Sequence, residues 1–197
     1  SLTLHADAYP QRRDWQDLPW LDRIGEGLRV RLRARLALRA GRREALAGRV
    51  DAEEARLAAL DDGARAAMLA ELRRQLRRDG FADDALVARA FAVIRMASRR
   101  LLGKAHFGTQ IQGAWVLLQG NVAEMNTGEG KSLMATLAAA TAALAGMKVH
   151  VVTVNDYLAG RDRDEFGPLF AALGLSCAFV GESATPDEKA AAYPADI

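Results

Sequence analysis

The sequence predicts an α/β fold: an N-terminal helical segment followed by a partial parallel sheet with flanking helices. Two patterns and one motif carry that expectation. Up to about residue 102, apolar residues recur at helical intervals, with Asp or Gly at the joints. Beyond Gly103, short β-branched runs alternate with helical ones, the order that builds a parallel sheet with right-handed crossovers. A glycine-rich loop, Asn126-Thr127-Gly128-Glu129-Gly130, joins the first such run to its helix.

Residues 1–20 hold Trp15, Trp20, Pro10 and Pro19 without a sustained period and read as an arm. From Leu21 to Ala40, Leu21, Ile24, Leu28, Leu32 and Leu36 mark a helix, with Gly41 and Gly48 as punctuation. A second helix is expected from about Asp51 to Leu60. A third runs from Ala64 to Arg78, capped by Asp61-Asp62 and closed by Gly80. Asp83-Asp84 caps the next, Ala85 to Leu102, whose Leu86, Ala90, Phe91, Ile94 and Leu101 share one face. Thr109 to Leu118 reads as a short helix ending at Gly120. Strands are then expected at Val122–Met125, Val149–Val154 and Leu175–Val180. Helices are expected at Lys131–Leu144, Asp156–Leu173 and Pro186–Ala192.

Composition narrows the function classes. The 197 residues suit one large domain or two small ones. No apolar run approaches the roughly 18 residues of a membrane span. The single Cys177 cannot form an internal disulfide, and its apolar neighbours suit a buried strand thiol. His5, His106 and His150 are too scattered for a metal site. The net charge of +2 divides unevenly: residues 1–102 hold 21 Arg, no Lys and 15 acids, whereas the remainder is acidic. Opposite charge and different texture argue for separate structural units.

The loop carries the chemistry. Backbone N–H groups of a Gly-rich turn point at phosphate oxygens, Lys131 can reach a β- or γ-phosphate, and the Ser132 hydroxyl can ligate Mg²⁺. The helix starting there aims its positive end at the same anion. The longer G-x-x-x-x-G-K-[ST] template expects glycine at 125, where this chain has Met125, so the shorter T-G-x-G-K-[ST] form remains.

Several separate segments together resemble the SecA preprotein translocase ATPases, whose motor is a RecA-like domain of the superfamily 2 helicase type. The segments begin near Leu60-Asp61-Asp62 and include Ala90 to Arg100, His106-Phe107, Gln110 to Leu117, Ala123 to Leu133, Val149 to Asp162, Gly167-Pro168-Leu169 and Ala190 to Ile197. The resemblance implies a residue-by-residue assignment. Gln110 would read the adenine edge, with Phe107 or His106 packing by the base. Thr127, Gly128, Glu129, Gly130, Lys131 and Ser132 would hold the phosphates of ATP or ADP, with Mg²⁺ on Ser132. Asn155-Asp156-Tyr157 and Arg161-Asp162 would shape the loop beside the nucleotide and the polypeptide path. Lys104-Ala105, Gly108 and Asn126 depart from the family pattern and mark a divergent member.

On this reading, residues 1–58 form an Arg-rich helical arm and 59–102 a helical lead-in. Residues 103–197 form the first part of the nucleotide-binding domain, stopping before the Walker B or DEAD-type acid. The acidic groups Asp162 to Glu165 and Asp187-Glu188 follow no apolar strand, so no catalytic residue is assigned. The resemblance implies ATP hydrolysis coupled to movement of unfolded preproteins through the Sec channel. It places the protein in the bacterial cytoplasm, peripherally bound to the inner membrane. The Arg29–Arg43 run could meet anionic lipid, nucleic acid is disfavoured as a partner, and a homodimer is possible. The alternatives are a superfamily 2 nucleic-acid helicase or remodeller, and a degenerate module that binds nucleotide without turnover.

Overall fold

The computed structural model describes residues 40–197. The expected arm over 1–20 and nearly all of the helix expected from Leu21 to Ala40 lie outside them. Among the described residues, the first element is α1, Ala40–Ala58, which begins well before the expected Asp51. It passes through Gly41 and Gly48 because Leu46, Val50 and Leu57 on one face are almost fully buried. Burying that face outweighs the roughly 1 kcal/mol that an interior glycine costs a helix.

The next two helices start where their caps predict. In α2, Asp62–Asp79, the Asp61 carboxylate accepts from the Ala64 N–H at 2.7 Å, and Gly80 (φ 66°) closes the last turn. In α3, Asp84–Leu102, Asp83 accepts from the Ala85 N–H at 2.8 Å. Helix α3 is the centre of the fold and packs against α1, α2, α5 and α6. Here α4 is Gly108–Leu118, α5 is Lys131–Leu144, α6 is Asp156–Ala172 and α7 is Pro186–Ala192. Phe91 and Ile94 of α3 are buried, as are Trp115 of α4, Leu137 and Leu144 of α5, and Leu169 of α6.

Charge fixes two of these contacts. Arg95, on the buried side of α3, donates through Nε to Glu54 of α1 at 2.6 Å, and one terminal nitrogen pairs with both Asp51 and Glu54. Arg99 also pairs with Glu54, and Arg89 meets Glu53 at 3.2 Å. On α2, Arg73 donates to the carbonyls of Leu173 and Gly174 at the end of α6. One turn on, Arg77 lies beside Gly146, just past the end of α5, its Nε 3.2 Å from where a Cβ there would stand. Two arginines of one helix face thus meet the negative ends of two others.

The expected parallel sheet is not formed. The runs containing Val122–Met125, Val149–Val154 and Leu175–Val180 lie between helices, yet no described residue belongs to a strand ladder. Backbone bonds from the second and third runs lead to the chain's last residues instead. The Val149 N–H donates to the Asp196 carbonyl, and the Ala178 N–H to the Ile197 carbonyl, both at 3.0 Å. The N–H groups of Asp196 and Ile197 both donate to the Ser176 carbonyl at 3.1 Å. Asp196 therefore stands between the second and third runs, and one bridging residue does not make a sheet. β-branched residues favour extended backbone locally, but a sheet needs neighbouring strands to take up each N–H and C=O. Val122, Val152 and Val154 accordingly stay about nine-tenths exposed.

Removing Arg95 takes from the largely enclosed Glu54 carboxylate its buried partner and leaves it only the exposed Arg99. Arg95→Ala is expected to lower the unfolding free energy by about 3 kcal/mol in urea titration. Pairing Arg95→Met with Glu54→Leu is expected to recover most of that loss.

Candidate functional site

The site is built where the loop 126–130 enters α5. Two glycines set its path: Gly128 has φ 90°, and Gly130, the residue before the helix, has φ 77° and ψ 43° in the left-handed region. A Cβ at Gly130 would also stand 2.3 Å from Gln110 Nε2, so conformation and space both require glycine. A glycine cap offers the first turn no side-chain acceptor, and that turn contains no acidic residue. The N–H groups of Thr127, Gly128 and Gly130, with those opening α5, find no acceptor among the described residues. Free N–H groups at a helix start suit an anion.

The loop holds its own shape. The Glu129 carboxylate accepts from the Asn126 N–H at 2.8 Å and from its side-chain amide at 3.2 Å. Lys131 Nζ rests on the carbonyls of Met125 and Asn126, both at 2.9 Å. Asn126, one of the departures from the family pattern, is therefore the residue on which both Glu129 and Lys131 converge.

Helix α4 supplies the other wall. Gln110 is buried, and both ends of its amide are engaged. Its Oε1 accepts from the Phe107 N–H at 2.9 Å, and its Nε2 donates to the Glu129 carbonyl at 3.0 Å and towards that of Gly130 at 3.4 Å. Gln110 thus joins the start of α4 to the loop. Phe107 caps α4 and is 73% exposed, and Thr127 is exposed on the loop. Of the expected residues, the structure brings Phe107, Gln110, Glu129, Gly130 and Lys131 into one hydrogen-bonded group.

His106 turns away from Phe107, into the protein, where it is 3% exposed. Its Nε2 lies 3.0 Å from the Leu133 carbonyl and 3.4 Å from the Thr136 hydroxyl. A carbonyl can only accept, so Nε2 carries a hydrogen. Burial drives its pKa down to about 4, against the opposing pull of the Leu133 bond and with help from the Arg95 charge. Among the described residues the buried Nδ1 has no partner. Nothing in the local sequence signals this inward turn, because His106 follows no amphipathic period.

Ser132 borders a cavity of about 430 Å³, walled by α5, the 149–154 run and the start of α6. Asn155 caps α6 through the Leu158 N–H at 2.9 Å, and Asp156 accepts from the Glu182 N–H at 2.9 Å. Tyr157 is exposed. Four of the acidic candidates are already engaged: Asp162 with Arg161, Asp164 with Arg163, Glu165 with Lys104, and Glu188 in the cap of α7. No group of described residues could hold a metal ion by itself.

Comparison with known proteins bears on this geometry. The family model described as SecA DEAD-like domain matches residues 31–197. The chain is 45% identical, over its full length, to protein translocase subunit SecA 3 of Magnetococcus marinus, of which it covers 30%. Over 148 residues, 75% of the chain, it is 53% identical to SecA 2 of Bordetella avium, covering 22% of that protein. Over 149 residues it is 49% identical to SecA of Dichelobacter nodosus, covering 16%. The chain therefore spans between about a sixth and a third of the length of these relatives.

Two outcomes are expected from this arrangement. Gly130→Ala forces a left-handed Cβ onto the Gln110 amide, and the thermal midpoint is expected to fall by an amount equivalent to about 1–3 kcal/mol. His106 gives a pH dependence. Its folded pKa of about 4 lies below the ordinary value of 6.5, so its contribution is intact above pH 6.5. That contribution is lost as pH falls towards 4, by on the order of 3 kcal/mol. Against His106→Gln, the wild-type chain should show that extra loss in urea titrations across this window.

Proposed function

The chain belongs to the SecA family, and from that footing we propose that it is the adenine-nucleotide-binding portion of a protein-translocating motor. The observation that carries this reading is the start of α5: a left-handed Gly130, free N–H groups, and Lys131 and Ser132 on the first turn. In the proposed complex Lys131 leaves the carbonyls of Met125 and Asn126 for a phosphate, an exchange of one set of oxygens for a more negative one. The Ser132 hydroxyl, at the cavity edge, supplies a ligand to Mg²⁺. Thr127, Gly128 and Gly130 offer backbone N–H groups, while Glu129 holds Asn126 and the loop in shape. When bound, ATP supplies the phosphoanhydride whose hydrolysis drives the motor.

Gln110 serves adenine recognition in this reading, with the exposed Phe107 ring beside the base. Its amide already bridges Phe107 and the loop, so reading adenine means giving up one of those bonds. The site thereby links base and phosphate recognition through one side chain. In this proposal the portion binds nucleotide, and no acid or arginine finger for hydrolysis is assigned to it.

The wider role in this proposal is movement of unfolded preproteins through the Sec channel at the cytoplasmic face of a bacterial inner membrane. Anionic lipid would meet the Arg-rich residues 29–43, and dimerisation remains part of the same proposal. Among the described residues, no helix is long and apolar enough to cross a membrane.

The test is calorimetric titration of Mg-ADP into the intact polypeptide and its Lys131→Ala variant. Binding in the micromolar range or tighter is expected for the wild type, with at least about a hundredfold loss in the variant. Undiminished affinity in a folded Lys131→Ala protein would refute the assignment of the loop.

A further inference from the structure

His106 and Gln110 hold the protein on either side of the same two residues. Gln110 Nε2 donates to the carbonyls of Glu129 and Gly130, immediately before Lys131. His106 Nε2 donates to the carbonyl of Leu133, immediately after Ser132. Both anchors spring from one short stretch, because the Phe107 N–H next to His106 donates to Gln110 Oε1. That stretch is itself fixed to α3, where the Ser98 hydroxyl donates to the Lys104 carbonyl at 2.7 Å. Lys131 and Ser132 are therefore bracketed by two hydrogen bonds with a common, rigidly mounted origin.

We propose that His106 is a positioning residue for the nucleotide site, setting the direction of the first turn of α5 so that the Ser132 hydroxyl meets the metal of a bound Mg-nucleotide. The inference rests on the nucleotide-binding reading of the loop. Packing alone does not account for this side chain. A leucine would fill similar space without burying a ring nitrogen, Nδ1, that has no partner among the described residues. What the imidazole adds is a donor aimed at one carbonyl of the helix turn that carries Lys131 and Ser132. The Leu133 carbonyl also accepts from the Thr136 hydroxyl at 2.7 Å. Two side-chain donors, one of them from α5 itself, thus share that carbonyl.

The test uses the intact polypeptide with His106→Leu and His106→Gln, titrated with ADP in the presence and absence of Mg²⁺, alongside thermal unfolding. Wild type is expected to bind Mg-ADP more tightly than ADP alone. In His106→Leu that Mg²⁺ enhancement should fall by about tenfold, while metal-free ADP affinity changes by no more than about twofold. His106→Gln, whose amide nitrogen can reach the same carbonyl, should restore the enhancement. If His106→Leu does not fold, His106→Asn replaces it, because its amide falls short of Leu133 and the same loss is expected.

Full Mg²⁺ enhancement in the leucine variant would overturn the proposal. So would equal losses with and without Mg²⁺ that track the thermal midpoint and are not rescued by glutamine, since packing alone would then explain them. Failure of the wild type to bind ADP, or unchanged binding in Lys131→Ala, would overturn the nucleotide reading itself. Those results do not involve His106, so the two failures are distinguishable.

Discussion

Burial of α3 is the constraint on which the rest of the described structure depends. Val87, Ala88, Ala90, Phe91, Ala92 and Ile94 are essentially without exposed surface, so almost every side of this helix must face protein. Small alanines let neighbouring helices approach closely, and the few large residues fill what remains. A helix enclosed in this way cannot leave Arg95 in water. The guanidinium is instead met by Asp51 and Glu54, which seats α1 in one register along α3. Such a pair adds little net stability over an apolar one, because both charges lose hydration. Its effect is to penalise any other alignment of the two helices.

From α3 the same rigidity passes to the nucleotide-type loop in a few hydrogen bonds. Ser98 fixes the Lys104 carbonyl, two residues later His106 reaches under α5, and Phe107 orients the Gln110 amide. The loop needs this external support because two of its residues have left-handed glycine backbones, whose freedom would otherwise permit many shapes. Glu129 and Asn126 add an internal brace. Flexible backbone types are thus held in one shape by surrounding side chains.

Local chemistry decided which features could be read from the sequence. Helices α5 and α7 begin and end where the pattern places them, since a glycine at the start of one and a Thr185–Glu188 capping box on the other act within a single turn. Asp61 and Asp83 likewise cap the helices they were expected to cap. The sheet failed for the opposite reason. Val149 to Val154 has the right residues for a strand, but its partners must come from distant chain, and the described contacts give it only Asp196. Gly41 and Gly48 did not break α1, because burial of Leu46 and Val50 is a tertiary effect. Within the site, the glycines and Lys131 were legible from spacing, and Gln110 only through family resemblance. The inward turn of His106 was not legible, since it depends on a carbonyl 27 residues away.

Arg73 and Arg77 give α2 a property out of proportion to its mostly polar surface. Each residue added to an α-helix rotates the later residues by about 100° and moves them about 1.5 Å along the axis. A one-residue insertion or deletion between Asp61 and Arg73 would therefore swing both guanidiniums away from the ends of α5 and α6 together. Point changes on the outer face of α2 leave that geometry alone. The helix is thus free to drift in composition but locked in length, and that lock lies at the far end of α5 from the nucleotide-type loop.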